Sequence, residues 1–293
     1  MKKIALFLAA SVVALAGNAQ LLWKVEGNGA KEASYIFGTH HIAPVTMLET
    51  TPGLSDGLNG ADIVYGEIDM QTAADPIKTQ QLMMQLAMAP SDSTMSKLMT
   101  QAQIDSVNAV LGKYTQGALT LAQMDQMKPA LLSTQIGVFQ TMTAFPDFTG
   151  KEQLDNTVQV KARELGKQVK GFETLEFQTQ MLLGDPIAEQ IADLMKTARK
   201  DDIAVKKAQE LAMAYTLGNL ESIQKLMFDP EVGMDERSAE KLIYSRNADW
   251  VKQLVPAMAD NKLFVAVGCG HLTGEKGLIE MLRKEGYTVT AVK

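Results

Sequence analysis

Cysteine is almost missing from this chain: Cys269 is the single one in 293 residues. An intrachain disulfide is therefore excluded, and the fold must rest on packing and hydrogen bonds alone. Histidine is nearly as scarce, with three residues. Cations are in deficit, 28 Lys+Arg against 34 Asp+Glu, for a formal net charge of −6. That balance excludes a nucleic-acid partner, whose phosphates demand a basic surface. Beyond the first residues there is no apolar run long enough to cross a bilayer, no low-complexity segment and no obvious linker. What remains is a length suited to one large domain or two ordinary ones, with ample apolar residues for a core.

The first residues read as a secretory signal. Lys2 and Lys3 form a basic start, Ile4 to Ala16 a short apolar run, and Gly17-Asn18-Ala19 the small residues before a cut ahead of Gln20. An uncleaved anchor is the alternative, but Gly17, Asn18 and Gln20 end the run early. No cysteine follows the run, so a lipoprotein is excluded. The expected product is residues 20–293, secreted or periplasmic. Loss of two lysines leaves 26 Lys+Arg against 34 Asp+Glu, a net of −8.

Two β-rich ends flank a helical middle. Leu21 to Val25 and Ala33 to Phe37 read as a hairpin around Glu26-Gly27-Asn28-Gly29. Asp62 to Asp69 reads as a buried strand with an acidic end. Signals from Asp75 to Gly166 are helical: Ser91-Asp92-Ser93 breaks one run, Gly112 is expected to close the next, and Pro129 opens another at its tolerated first turn. A helix is expected from Lys151 to Leu165. Gln168 to Phe172 reads as a strand ending at Glu173. Helices follow over Pro186–Arg199, Ala204–Leu217, Leu220–Phe228 and within Ser238–Ala259. Leu263 to Val267 is the best strand, and Gly274–Lys284 with Tyr287–Val292 completes a unit compatible with a right-handed parallel crossover. The expected fold is α/β, one domain over 20–293. Its mixed central sheet is built from the N- and C-terminal thirds plus a central strand, with long helical insertions at about 75–165 and 185–260.

The three histidines sit in two copies of one pattern, an apolar run followed by Gly-x-x-His. Tyr35-Ile36-Phe37 precedes Gly38-Thr39-His40-His41, and Leu263 to Val267 precedes Gly268-Cys269-Gly270-His271. The copies lie near opposite ends of the chain, so folding alone can bring them together. Glycine at a strand end permits unusual backbone angles and leaves room for a ligand near the main chain. Ligands in open α/β sheets gather at the carboxyl ends of strands. Two other strands end in carboxylates, Glu67 with Asp69 beyond it, and Glu173. Two imidazoles and a carboxylate suit a divalent transition metal of the Zn, Mn or Co type in a hydrolytic site, and histidine is also the usual general base near neutral pH.

These motifs, in this order and over nearly the whole chain, resemble the TraB/GumN family, which includes the Tiki proteases. Gly38-Thr39-His40-His41 is similar to its Gly-Thr-x-His motif and Gly268-Cys269-Gly270-His271 to its Gly-x-Gly-His motif. Glu67-Ile68-Asp69 resembles its Glu-x-Asp strand end. Gly171-Phe172-Glu173-Thr174-Leu175-Glu176 is similar to its central Leu-Glu-Thr segment, and Ser245-Arg246-Asn247 to its late Arg-Asn pair. Cys269 and Phe172 depart from the usual pattern without removing a functional side chain. The resemblance implies a scaffold shared with erythromycin-esterase and haem-binding ChaN-like proteins, and a metal-dependent, protease-like hydrolase acting on a peptide or a small ester or amide. It implies His41 and His271 as metal or catalytic pair, Glu67 as acidic ligand or general base, Arg246 as oxyanion or carboxylate partner, and Glu173 as ligand or supporting group. Two rivals stand beside it: a non-catalytic metal- or haem-binding protein, and a metal-independent esterase with histidine as general base.

Other residues read more plainly. His40 should point away from His41, as a supporting or surface group. Cys269 reads as a small buried residue rather than a nucleophile. Asp69 could ligate or cap the turn that follows it. Arg246 and Asn247, by composition alone, read as a helix surface pair. Methionines Met83, Met84, Met88, Met95, Met99, Met124 and Met127 crowd the middle, where flexible core filling is the expected role and an apolar groove for peptides the functional version.

Overall fold

The computed structural model describes residues 20–293 except 74, 149 and 151. The signal expected at 1–19 lies outside the described residues, as does Lys151, the expected first residue of a helix. Six strands form one mixed sheet: β1 (Leu22–Gly27), β2 (Ser34–Thr39), β3 (Ile63–Ile68), β4 (Gln168–Glu173), β5 (Leu263–Gly268) and β6 (Tyr287–Ala291), in the order β4-β3-β5-β2-β1-β6. The hairpin β1–β2 is antiparallel, turning at Asn28 with its φ of 47°. The strands β2, β5, β3 and β4 pair in parallel. Thus the four strands whose ends carry the histidine and carboxylate motifs point the same way.

Alternation along the strands divides the core. Phe37, Val64, Phe264 and Ala266 face one layer, while Ile36, Ile63, Tyr65, Val265 and Val267 face the other. The first layer is closed by α3 (Leu154–Glu164) and α6 (Asp201–Thr216), through Leu154, Val158, Ala212 and Tyr215. The second is closed by α8 (Ser245–Asp260) and α9 (Leu278–Lys284), through Trp250, Leu254, Leu278 and Leu282. A third cluster belongs to the helical middle, where α1 (Gln101–Thr115), α2 (Pro129–Met142) and α5 (Ile187–Arg199) bury Val107, Leu111, Ile136 and Leu194. Of the shorter helices, α4 (Leu175–Leu183) follows β4 at the sheet edge, and α7 (Leu220–Met227) packs on α6 and on the turn after β5. Among the described residues, no helix is long and apolar enough to cross a membrane.

Three local expectations are corrected. Gly112 does not end its helix: α1 runs through it to Thr115, and the left-handed Gln116 at φ 53° stops it. A glycine in a helix interior costs about 1 kcal/mol, which the buried Val107 and Leu111 outweigh. β6 does not pair with β5; it crosses to the far edge beside β1, antiparallel to it. The methionines divide, Met95 and Met99 filling the third core while Met84 and Met88 stay exposed.

Candidate active site at the carboxyl ends of the parallel strands

Parallel strands end on one rim, and that geometry gathers the chemistry. β2 leads into His40 and His41, β3 carries Glu67, β4 ends at Glu173, and β5 runs into a single 3-10 turn, Cys269–Leu272, that holds His271. A cavity of about 300 Å³ is lined by His40, His41, Glu67, Arg246, Gly268 and His271 among others. The glycines act by leaving space rather than by unusual backbone angles. A Cβ on Gly38 would stand 3.1 Å from the Cys269 backbone. Gly268 has an ordinary φ of −50°, and its N–H donates to Glu67 Oε1 at 3.0 Å.

Arg246, in the first turn of α8, ties the rim together. Its Nε donates to Glu173 Oε1 at 2.9 Å, its Nη2 to Glu67 Oε2 at 2.6 Å and Glu173 Oε2 at 2.9 Å. Its Nη1 donates to the Leu242 carbonyl at 2.8 Å and to His271 Nε2 at 3.1 Å. All five guanidinium N–H groups therefore have acceptors, which favours the carboxylate-partner role over the oxyanion one. Trp250, one turn on, lies under the guanidinium at 4.8 Å and donates to Glu173 Oε1 at 2.9 Å. Gln178 of α4 spans both carboxylates, donating to Glu67 Oε2 at 3.1 Å and Glu173 Oε2 at 3.0 Å. Burial pushes the Glu67 carboxyl up, but His271, Arg246, His41 and the Gly268 N–H together outweigh it and hold the group at about 2. A carboxylate held that low is a weak proton acceptor near neutral pH, so the geometry suits Glu67 as a ligand better than as a base.

The two motif histidines are oriented alike. His271 Nδ1 donates to Asn247 Oδ1 at 2.7 Å, and its ring packs at a tilt against Trp250, centroids 4.3 Å apart. Asn247 returns its own N–H groups to the His271 and Lys276 carbonyls. Burial, ahead of every other influence, lowers His271 to about 4, so the ring is neutral. His41 Nδ1 bonds Asp155 Oδ2 at 2.7 Å, and Asp155 Oδ1 accepts from the Thr39 hydroxyl at 2.5 Å. The Asp155 carboxylate raises His41 to about 9; the ring is two-thirds exposed, and water trims that electrostatic gain. Each imidazole thus has Nδ1 engaged by a side-chain oxygen, and Nε2 is the nitrogen it can offer.

That donor set, two Nε2 atoms and the Glu67 carboxylate, fits a borderline divalent ion in chemical type, with Asp155 and Asn247 as the outer partners such ligands usually have. His271 Nε2 stands 3.7 Å from Glu67 Oε1. Among the described residues, no three His, Cys, Asp or Glu side chains are already arranged to hold one ion. Ligation would require Arg246 Nη1 to release His271 and keep Leu242.

Of the remaining candidates, Asp69 lies apart from this cavity, while His40 and Cys269 line it without joining the hydrogen-bonded set. Asp69 accepts from the Gln71 and Thr72 N–H groups and pairs with Arg163, as a turn cap. His40 is wedged between Phe145 at 5.1 Å and Tyr215 at 5.4 Å, lowered to about 4 by burial, with Nδ1 unpartnered. Cys269 is buried, and burial pushes its thiol up to about 12. Arg246 and Asn247 are not surface residues: both are buried, Asn247 fully, because α8 turns this face onto the sheet. Sequence reading missed Asp155, Gln178 and Trp250 as site residues. Each is a common helix residue, and no local pattern signals which strand end it meets. Asn247 was legible only through the family motif.

No curated protein sequence and no solved structure matches the chain. The TraB/PrgY/gumN family model matches residues 21–291, the span that contains every element of the rim just described, and the chain belongs to that family.

Proposed function

We propose that this protein is an exported hydrolase of amide or ester bonds, peptide-like substrates foremost, with a divalent transition metal held by His41, His271 and Glu67. The observation that carries the reading is the matched orientation of the two imidazoles, each held through Nδ1 so that Nε2 faces the ionised Glu67 carboxylate's side of the rim; ligation displaces Arg246 Nη1 from His271 Nε2 and the proton from His41 Nε2. When bound, such an ion supplies a Lewis acid for the substrate carbonyl. Arg246 keeps Glu67 ionised and bridges it to Glu173, Gln178 holds both in register, and Asn247 and Asp155 fix the rings.

One observation favours a metal-independent rival. Arg246 Nη1 already engages His271 Nε2, and His41 with Asp155 forms an imidazole–carboxylate pair of the kind that moves protons. In that reading His41 exchanges the proton with the leaving group. The deciding experiment is elemental analysis of the purified protein, joined to peptidase and esterase assays with and without chelator. About one Zn, Mn or Co per chain, and activity lost to chelator and to folded His41→Ala and His271→Ala, would uphold the metal reading. Chelator-resistant turnover would move the chemistry to His41 and Asp155. A Soret band after incubation with haem, with no turnover, would sink both.

A further inference from the structure

A second cavity, of about 710 Å³, lies beside the first. His40 lines the small cavity, and its ring packs on Phe145, which lines the large one. Ile42 and Ala43, next in the chain after His41, form its near wall. The turn joining them is fixed: the Ala43 N–H donates to the His40 carbonyl at 2.9 Å, and the Leu154 N–H to the His41 carbonyl at 3.3 Å. A ligand leaving His41 in this direction therefore meets the wall that Ile42 and Ala43 give the large cavity. The floor is apolar, made by the buried Ile42, Ala43, Phe145 and Ala212. Met213 and Leu217 stand at the mouth, 67% and 57% exposed, an apolar surface left open to water. Polar groups edge it: the Gln209 amide can meet a peptide backbone, the Thr143 and Thr216 hydroxyls, which donate to the Gln140 and Ala212 carbonyls, can still accept from one, and the charged residues of the described lining are Asp147 and Glu152. An apolar floor with a few polar groups, of this volume, is the usual form of a small-ligand site.

We infer that this cavity takes a short apolar stretch of an extended peptide adjoining the bond presented to His41 and Glu67, and that it prefers a basic to an acidic residue beside that stretch. The reading of the neighbouring rim as a hydrolase supplies the cleavage; the binding rests on the cavity alone. A simple acyl chain fits less well, because it offers nothing to the Gln209 amide and brings a carboxylate toward Asp147 and Glu152. Met213, with three rotatable bonds, can adapt to different apolar side chains.

The test titrates the mature chain with Ac-Lys-Leu-Phe-amide, Ac-Glu-Leu-Phe-amide and octanoate by calorimetry, with cleavage followed by mass spectrometry on the same samples. The lysine peptide should bind about tenfold more tightly than the glutamate peptide, and both better than octanoate. Thr216→Trp, which narrows the mouth from an exposed helix position, should weaken both peptides at least tenfold at unchanged Tm. Met213→Glu should do the same by a different route, so a misfolded tryptophan variant does not close the question. The double change Asp147→Lys, Glu152→Lys should reverse the charge preference. Absence of peptide binding to the wild type, indifference to both mouth variants, or tighter binding of octanoate overturns the inference. Binding without cleavage sinks the hydrolase reading and leaves this one standing; cleavage that ignores the mouth variants does the opposite.

Discussion

Arg246→Ala removes the guanidinium that stands between Glu67 and Glu173. Both carboxylates are largely out of water, with side chains 16% and 8% exposed, and they accept from Arg246 Nη2 at 2.6 and 2.9 Å. Removing one partner of a buried ion pair costs about 3–5 kcal/mol, because the charge left behind is neither hydrated nor paired. A second route gives the same order. Glu67 is held at about 2 against an ordinary 4.5, a difference worth about 3 kcal/mol and shared among His271, Arg246, His41 and the Gly268 N–H. For a chain of this size that loss lowers Tm by about 6–20 °C. The pH dependence has a definite sign. In the wild type the lowered Glu67 gives stability that is present above 4.5 and lost as pH falls toward 2. In the variant the two carboxylates face each other without the cation, one of them takes up a proton more readily, and its contribution is lost as pH rises. The gap in Tm between wild type and variant is therefore wider at pH 7 than at pH 4. Calorimetric scans at both values decide it: a drop below about 2 °C at pH 7, or an equal gap at both, would show that the carboxylates do not depend on Arg246.

Asn247→Ala should destabilise by about 1–3 kcal/mol, since His271 Nδ1 and two buried carbonyls lose their partner; denaturant melts test this, and a neutral result would mean water replaces the amide freely. In Asp155→Ala, His41 should titrate well below its present value of about 9 and near 6.5, followed by ring-proton NMR. The wild-type contribution from His41 is complete below 6.5 and lost as pH rises through 9, so the decline in wild-type stability over that window should vanish in the variant. An unchanged His41 titration would assign the shift elsewhere. Cys269 should resist thiol reagents at pH 8 until the chain is denatured, given its burial and raised thiol; rapid labelling of the native protein would contradict the packing around Gly38.

Much of the scaffold was legible from period and punctuation. The hairpin at Asn28, the strand ending at Glu67, the proline start at Pro129 and the glycine stop at Gly166 all carry signals within a few residues of chain. Gly112 misled because a helix interior tolerates a glycine when buried neighbours such as Val107 and Leu111 anchor the helix. β6 misled because strand order depends on which edge is left free, a property of the whole sheet. At the rim, the recurrence of Gly-x-x-His located the histidines, but their acceptors were invisible. Asp155 follows an unremarkable leucine on α3, and nothing near it in sequence indicates Thr39 and His41, 116 and 114 residues away. Gln178 lies 111 residues from Glu67 and Trp250 lies 77 from Glu173, and only the Gln178–Glu173 contact, five residues apart, is local. Long-range polar pairing leaves no periodic trace.

The strand order has a consequence for how the chain is made. β5 lies between β2 and β3, yet it comes after nearly two hundred further residues have followed β3. Until Leu263–Gly268 has left the ribosome, the two halves of the sheet, the β1–β2 hairpin and the β3–β4 pair, have no common neighbour. Joining them is a late, non-local event and therefore slow. A partly synthesised chain cannot complete its rim, and any truncation upstream of residue 263 removes the keystone strand along with His271.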